Sequence, residues 1–139
     1  MSEIRLAQQK DLNIIWSIYD QRYHKYEDLD VAYSKDNFAK LINDTTHCLI
    51  FVICDNDKPN GFILVYNMGI WGYIEFIVID SKYRLKGYSQ QLLDIVYNTG
   101  KSLGWSVVKA AAYKDMEKFM KKNKFNDNGY STRWVHKVL

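Results

Sequence analysis

Apolar positions recur along the chain with two different spacings, which predict where the strands and helices lie. Runs rich in β-branched and aromatic residues predict strands, whereas apolar residues at every third or fourth position predict helices. The predicted strands are 3–7, 47–54, 61–67, 73–80, 106–113 and 130–138. Helices are predicted after the cap residues Asp11, Ser34 and Asp115, and over 89–103 before a terminating Gly104.

The order of these elements is β-α-α-β-β-β-α-β-α-β, which predicts an α+β fold with a mixed, mainly antiparallel sheet flanked by helices. Segments 47–54 and 61–67 are predicted to form a hairpin around a long, turn-rich loop over 55–60. The helix over 89–103 then makes a strand–helix–strand crossover. Since no repeat, linker or low-complexity tract interrupts the pattern, we expect residues 1–139 to form one domain.

Composition narrows the class of protein. Hydrophobic residues make up 47% of the chain, which indicates a packed globular core. The net charge of +3 is mild and does not by itself indicate nucleic-acid binding. An apolar leader and a long apolar run are both missing, so we expect a cytoplasmic protein without membrane spans. Cys48 and Cys54 are predicted to lie reduced on one strand face, and no residue spacing indicates a metal site.

One stretch carries candidate chemistry: the strand 73–80, the loop 83–89 and the helix that follows. The first N–H groups of a helix have no intrahelical partner, and the helix dipole adds partial positive charge there. Gly87 permits close approach of the backbone, while Arg84 and Lys86 supply formal charge. The stretch therefore predicts a phosphate site. The alternative is an ordinary strand-to-helix turn whose basic residues face water.

The segment Ile79-Asp80-Ser81-Lys82-Tyr83-Arg84-Leu85-Lys86-Gly87-Tyr88-Ser89 resembles the acetyl-CoA loop of the GNAT superfamily of N-acetyltransferases. That loop reads Arg/Gln-x-x-Gly-x-Gly/Ala, so Arg84 and Gly87 match and Ser89 replaces the usual Gly or Ala. The segment 117–125 is similar to the family's Phe-Tyr-Glu-Lys-x-Gly-Phe. Because the element order also agrees, the resemblance implies an acetyl-CoA-dependent N-acetyltransferase, monomeric or homodimeric, that acts on a small-molecule or peptide amine.

The resemblance also implies how the acetyl donor is held. In the family the pyrophosphate lies on the loop N–H groups, and the pantetheine arm lies along the central strand. The implied cofactor contacts in this chain are Ile77, Val78, Ile79, Arg84, Leu85, Lys86, Gly87, Tyr88, Ser89 and Gln90. Acetyl-CoA is the expected donor, and no metal is expected to take part.

Glu75 is the candidate general base. An alkylammonium has a pKa of about 10.4 and must lose a proton before it attacks a thioester, and many family members carry an acid at this point of the strand. Strand alternation places Glu75 with Ile77 and Ile79 on one face, opposite Phe76 and Val78. Apolar neighbours would raise the pKa of this acid. The alternative is a structural ion pair with a lysine or arginine on a neighbouring strand.

The general acid departs from the family pattern. The tyrosine that often protonates coenzyme A aligns with Met120, which cannot donate a proton, and the usual Asn after the preceding strand aligns with Tyr113. Tyr113 is therefore the candidate acid, with Tyr130 as an alternative. A coenzyme A binder without catalytic activity stays open.

The acceptor site and a rival function rest on weaker patterns. In this fold the connection between the first two helices borders the acceptor, and Tyr26, Glu27 and Asp28 there suit a cationic amine. A solvated acidic loop is the alternative.

The sequence also allows a different function: a non-catalytic module that binds nucleic-acid phosphates through a stripe of Lys114, Lys118, Lys121 and Lys122. Such a stripe is also typical of the wet face of a helix.

Overall fold

The computed structural model describes residues 2–23, 33–111, 117–126 and 137. Five strands form one sheet in the order β1-β2-β3-β4-β5. They are β1 Glu3–Leu6, β2 Cys48–Asp55, β3 Lys58–Asn67, β4 Trp71–Ile79 and β5 Val107–Ala110. The first four pair antiparallel, and β5 pairs parallel to β4 after a helical crossover. The mixed, mainly antiparallel sheet that was predicted is thereby confirmed.

The helices cover both faces of this sheet. They are α1 Leu12–Tyr23, α2 Lys35–Asn43, α3 Tyr88–Leu103 and α4 Glu117–Lys122. Ser34 caps α2 as predicted, because its hydroxyl accepts the Asn37 N–H at 3.1 Å. Asp11 instead ends a short 3₁₀ turn, Gln9–Asp11, which runs directly into α1. The Asp115 cap and, apart from residue 137, the strand predicted over 130–138 lie outside the described residues.

Two cores lie on opposite faces of the sheet, and β2 contributes to both. Cys48, Ile50 and Val52 pack with α1 and α2, whereas Leu49 and Phe51 pack with α3. Cys54 joins the first core, so both cysteines lie on one face as predicted, buried and unbridged. Burial raises the pKa of the Cys48 thiol to about 12.

The hairpin between β2 and β3 is tighter than predicted. Its turn consists of Asn56 and Asp57, both in the left-handed region with φ of 50° and 63°. That conformation matches the twist of two-residue hairpin loops, and Asn and Asp tolerate it. The predicted loop over 55–60 is therefore wrong in extent. Pro59 belongs to β3 and pairs with Cys54 beside a bulge, where its missing N–H is tolerated.

None of the helices in the described part of the chain has the length and apolar character needed to cross a membrane.

Candidate functional site

A β-bulge at Glu75 shapes the site. Leu64 pairs with Phe76, and the next residue of β3, Val65, pairs with Ile74, so Glu75 is an extra residue in β4. The bulge changes which face each side chain occupies, because Ile74 and Ile77 pack in the same core although three positions separate them. The predicted grouping of Ile77 with Ile79, opposite Phe76 and Val78, is confirmed. The placement of Glu75 with Ile77 and Ile79 is wrong, because the bulge brings the Glu75 charge next to tyrosines of the opposite core.

The Glu75 carboxylate lies near a group of tyrosines under α1 and α2. Burial raises the pKa of Tyr33 and of Tyr66, and the Glu75 charge adds to both shifts. The hydroxyls of these two tyrosines are 2.5 Å apart, and the Tyr33 N–H donates to the Tyr19 hydroxyl at 3.2 Å. Glu75 thus lies next to hydrogen-bonded tyrosines in the aromatic core that packs against α1 and α2.

Among the described residues, β5 flanks β4 only up to the bulge. β5 pairs with β4 only from Trp71 to Ile74 in the described chain. A cleft of about 470 Å³ opens along the rest of β4. It is lined by Arg22, Ile77, Val78, Ile79, Tyr83, Arg84, Leu85, Gly87, Tyr88, Ser89, Gln90, Phe119 and Lys122. The groove therefore follows the part of β4 beyond the described β4–β5 pairing and ends at the loop before α3.

Nine of the ten predicted cofactor contacts line this one cleft. The exception is Lys86, whose ammonium lies 5.3 Å from the centre of the Tyr83 ring. Sequence reasoning missed, as cofactor contacts, four residues that also line the cleft: Arg22, Tyr83, Phe119 and Lys122. The three-residue spacing of Phe119 and Lys122 on α4 was an available signal, whereas nothing in the sequence around Arg22 marks its position.

The loop before α3 presents unused hydrogen-bond donors. Leu85 and Gly87 both have positive φ, 63° and 75°, and these turn the backbone into the first turn of the helix. The earliest intrahelical bond runs from the Gln91 N–H to the Gly87 carbonyl at 3.2 Å. Within the described residues, the N–H groups from Leu85 to Gln90 donate no hydrogen bond. These donors, at the positive end of the α3 dipole, suit a phosphate or pyrophosphate.

Hydrogen bonds from the sheet hold both ends of this loop. The Asp80 N–H donates to the buried Asn60 carbonyl at 2.8 Å, and the Asn60 amide donates to Asp55 Oδ2 at 2.8 Å. The Tyr88 hydroxyl donates to the same Asp55 oxygen at 3.0 Å. The loop is thus tied to β2 and β3 before any ligand binds, which limits the ordering that binding would require.

A second, smaller cavity of about 40 Å³ adjoins the cleft at the bulge. Its lining consists of Arg22, Tyr23, Ile74, Glu75, Ile77, Ala110, Ala111 and Met120. Burial raises the pKa of the Glu75 carboxyl, and Glu75 forms no ion pair in the part of the chain that the structure describes. An acid in this setting can accept a proton near neutral pH more readily than an exposed glutamate.

The remaining predicted site residues fall in different places. Met120 is buried and lines the smaller cavity. Of the lysine stripe, Lys118 and Lys121 are exposed and Lys122 lines the cleft. The others lie outside the described residues: Tyr26, Glu27, Asp28, Tyr113, Lys114 and Tyr130.

Solved structures with the same architecture include several acetyltransferases. An aminoglycoside acetyltransferase, meta-AAC0020 from an uncultured soil metagenomic sample in complex with sisomicin, is 16% identical over 99% of this chain and 97% of its own, with a TM-score of 0.75. A ribosomal-protein-alanine N-acetyltransferase from Brucella melitensis biovar Abortus 2308 is 16% identical over 99% and 100%, with a TM-score of 0.78. AAC(6')-Iy in complex with the bisubstrate analog CoA-S-monomethyl-acetylneamine is 15% identical over 99% of each chain, with a TM-score of 0.76.

At these identities the structural likeness establishes the fold alone. No curated protein sequence matches the chain. The family model for the acetyltransferase (GNAT) family matches residues 12–125, which include the bulged strand, the loop and α3. The chain therefore belongs to the GNAT acetyltransferase family.

Proposed function

We propose that this protein is an N-acetyltransferase that moves an acetyl group from acetyl-CoA to a primary amine by direct attack of the amine on the thioester. The observation that carries the proposal is the open cleft beside Ile77–Ile79, which ends at the unused N–H groups of residues 85–90. An elongated donor with a pyrophosphate fits this combination, because the N–H groups bind the anion and the apolar strand edge accommodates the arm.

The proposed chemistry divides between the two cavities. The donor lies in the larger cleft, with its thioester near Ile77, and the amine enters beside Glu75 in the smaller cavity. Glu75 removes a proton from the ammonium, directly or through water, and its raised pKa suits that role near neutral pH. Tyr113 stays the proposed proton donor to the thiolate, with Tyr130 as its alternative.

The acceptor is proposed to be a cationic amine. The solved structures above include an aminoglycoside acetyltransferase and a ribosomal-protein-alanine N-acetyltransferase, so aminoglycosides and peptide N-termini are the first acceptor classes to test. Tyr26, Glu27 and Asp28 are proposed to border the acceptor. Tyr23 lines the same small cavity as Glu75, and an aromatic ring beside a carboxylate favours a cation there.

Donor binding is the first test, measured by calorimetry with acetyl-CoA. Gly87→Ala should weaken binding at least tenfold, because the added Cβ stands in the open space before the loop N–H groups. Gly69→Ala is the matched control: Gly69 also has positive φ and open space around its Cα, but lies in the β3–β4 turn. Both variants should lose about 1 kcal/mol of stability, and only Gly87→Ala should lose affinity.

Turnover is the second test. Release of free coenzyme A is followed with a thiol reagent, with aminoglycosides, polyamines and short peptides as acceptors. Acetyl-amine formation that depends on protein concentration supports the proposal. Acetyl-CoA binding with no turnover on any amine class would point to a silent coenzyme A binder, and failure to bind acetyl-CoA at millimolar concentration would overturn the proposal altogether.

A further inference from the structure

Arg22 stands where the two cavities meet. Among the described residues, the cleft and the smaller cavity have only Arg22 and Ile77 in common. Ile77 is on the floor of the site, in β4, and Arg22 reaches the same point from the end of α1. Under the proposed function this junction is the place of the reacting thioester, since the donor arm arrives from one cavity and the amine from the other.

The chemistry at the junction requires positive charge. When the carbon–sulfur bond breaks, the electron pair leaves with the sulfur, and the thiolate needs a proton or a nearby cation. Met120, in the wall of the smaller cavity, cannot donate a proton. Arg22 is the only basic residue among the described residues that line that cavity.

The position of Arg22 is compatible with a separate role for Glu75. Burial raises the pKa of Glu75, and Arg22 does not pull it back down as a close cation would. The Arg22 guanidinium carbon lies 6.0 Å from the centre of the neighbouring Tyr23 ring, which restricts where the side chain can point. The base and the cation therefore serve different atoms of the reaction.

We propose that Arg22 is a catalytic residue whose guanidinium stabilises the coenzyme A thiolate as it leaves; this role rests on the proposed function. The amine nitrogen bonds to the carbonyl carbon, the carbon–sulfur bond breaks, and the sulfur carries the electron pair. The ammonium proton goes to Glu75 before the attack, and the second proton, which leaves the nitrogen as the amide forms, neutralises the thiolate. Arg22 remains protonated throughout, because a guanidinium does not lose its proton in this pH range.

The thiol pKa of bound coenzyme A tests the proposal without any knowledge of the acceptor. The ultraviolet absorbance of the thiolate is titrated for coenzyme A in complex with the protein. An adjacent cation should lower the thiol pKa by about one to three units relative to free coenzyme A. Arg22→Gln should remove most of that shift. Arg22→Lys should retain part of it, and it also serves if Arg22→Gln fails to fold.

Lys122→Gln is the matched control, since Lys122 lines the cleft but not the smaller cavity. It should weaken coenzyme A binding and leave the thiol pKa of the complex unchanged. If Arg22→Gln also weakens binding with an unchanged thiol pKa, Arg22 is a phosphate contact and the proposal is wrong. If the wild-type protein fails to bind coenzyme A, the proposed function itself is wrong, and Arg22 with it.

Discussion

Two shielded carboxylates, Asp11 and Glu75, differ in what surrounds them. Asp11 is 2% exposed, and Arg5 donates to its two oxygens at 2.7 and 2.9 Å. Burial alone would raise the pKa of Asp11, but the hydrogen bonds from Arg5 and from the Gln8 N–H outweigh it, and the pKa is lowered. Glu75 is also partly buried, yet no described cation pairs with it, and burial raises its pKa.

The difference separates an acid that stabilises the fold from one available for chemistry. The Asp11 carboxylate joins β1 to the start of α1 through Arg5, and every oxygen has a donor. Glu75 lies in a bulge and lines the smaller cavity, where burial raises its pKa and open space adjoins its side chain. A buried carboxylate is therefore a candidate base only where no cation pairs with it and open space lies beside it.

Removal of the Glu75 charge should have the largest effect. Glu75→Gln should lower kcat about 10³-fold with the best acceptor, because a positioned general base contributes 10²- to 10⁴-fold. Steady-state kinetics measure kcat, and calorimetry should show that acetyl-CoA affinity is retained. A variant that keeps more than a tenth of wild-type turnover would show that another group or water takes the proton.

Removal of the Asp11 charge should affect stability and spare catalysis. Asp11→Asn leaves a largely buried Arg5 without its main partner, which should lower the free energy of unfolding by about 3 kcal/mol. Urea unfolding measures the loss. Asp57→Asn is the matched control, because Asp57 contacts the same arginine from an exposed position, and it should lower the free energy of unfolding far less. Equal losses from the two variants would contradict the importance of burial.

The features that depend only on residues close together in the sequence were predictable from it. The five described strands, the Ser34 cap and the loop 83–89 follow from local spacing and turn chemistry. Nine predicted cofactor residues line one cleft because they are contiguous or nearly so. The cysteines of β2 share a face for the same reason.

Features that depend on pairing between distant segments were not predictable. The bulge at Glu75 is an offset between β3 and β4, and it leaves no mark in the composition of β4. Arg22 belongs to an ordinary amphipathic helix, and its place at the cavity junction comes from how α1 packs on the sheet. The tight hairpin was misjudged because Pro59 reads as a loop residue, although it lies in β3 beside a bulge.

The pH dependence of catalysis sharpens the comparison further. Because the Glu75 carboxyl must be ionised to accept a proton, kcat/KM should rise about tenfold per pH unit on the acid side until the pKa of Glu75 is passed. Burial raises that pKa, so this limb should lie above the pH range of an exposed glutamate. A pH–rate profile measures it, and Glu75→Gln should remove the limb while the alkaline side persists.

The smallest expected effect concerns stability: the contributions of Glu75 and Asp11 to folding should change with pH in opposite directions. The folded-state pKa of Glu75 is raised, so its favourable contribution is present at low pH and is lost as pH rises through that value. The pKa of Asp11 is lowered, so its contribution is present at neutral pH and is lost on acidification.

Glu75→Gln should therefore raise Tm by a few degrees at most near neutral pH and not in acid. Asp11→Asn should lower Tm near neutral pH, and less so in acid. Thermal unfolding at several pH values measures both trends. Parallel shifts for the two variants across pH would mean that burial and pairing do not distinguish these acids.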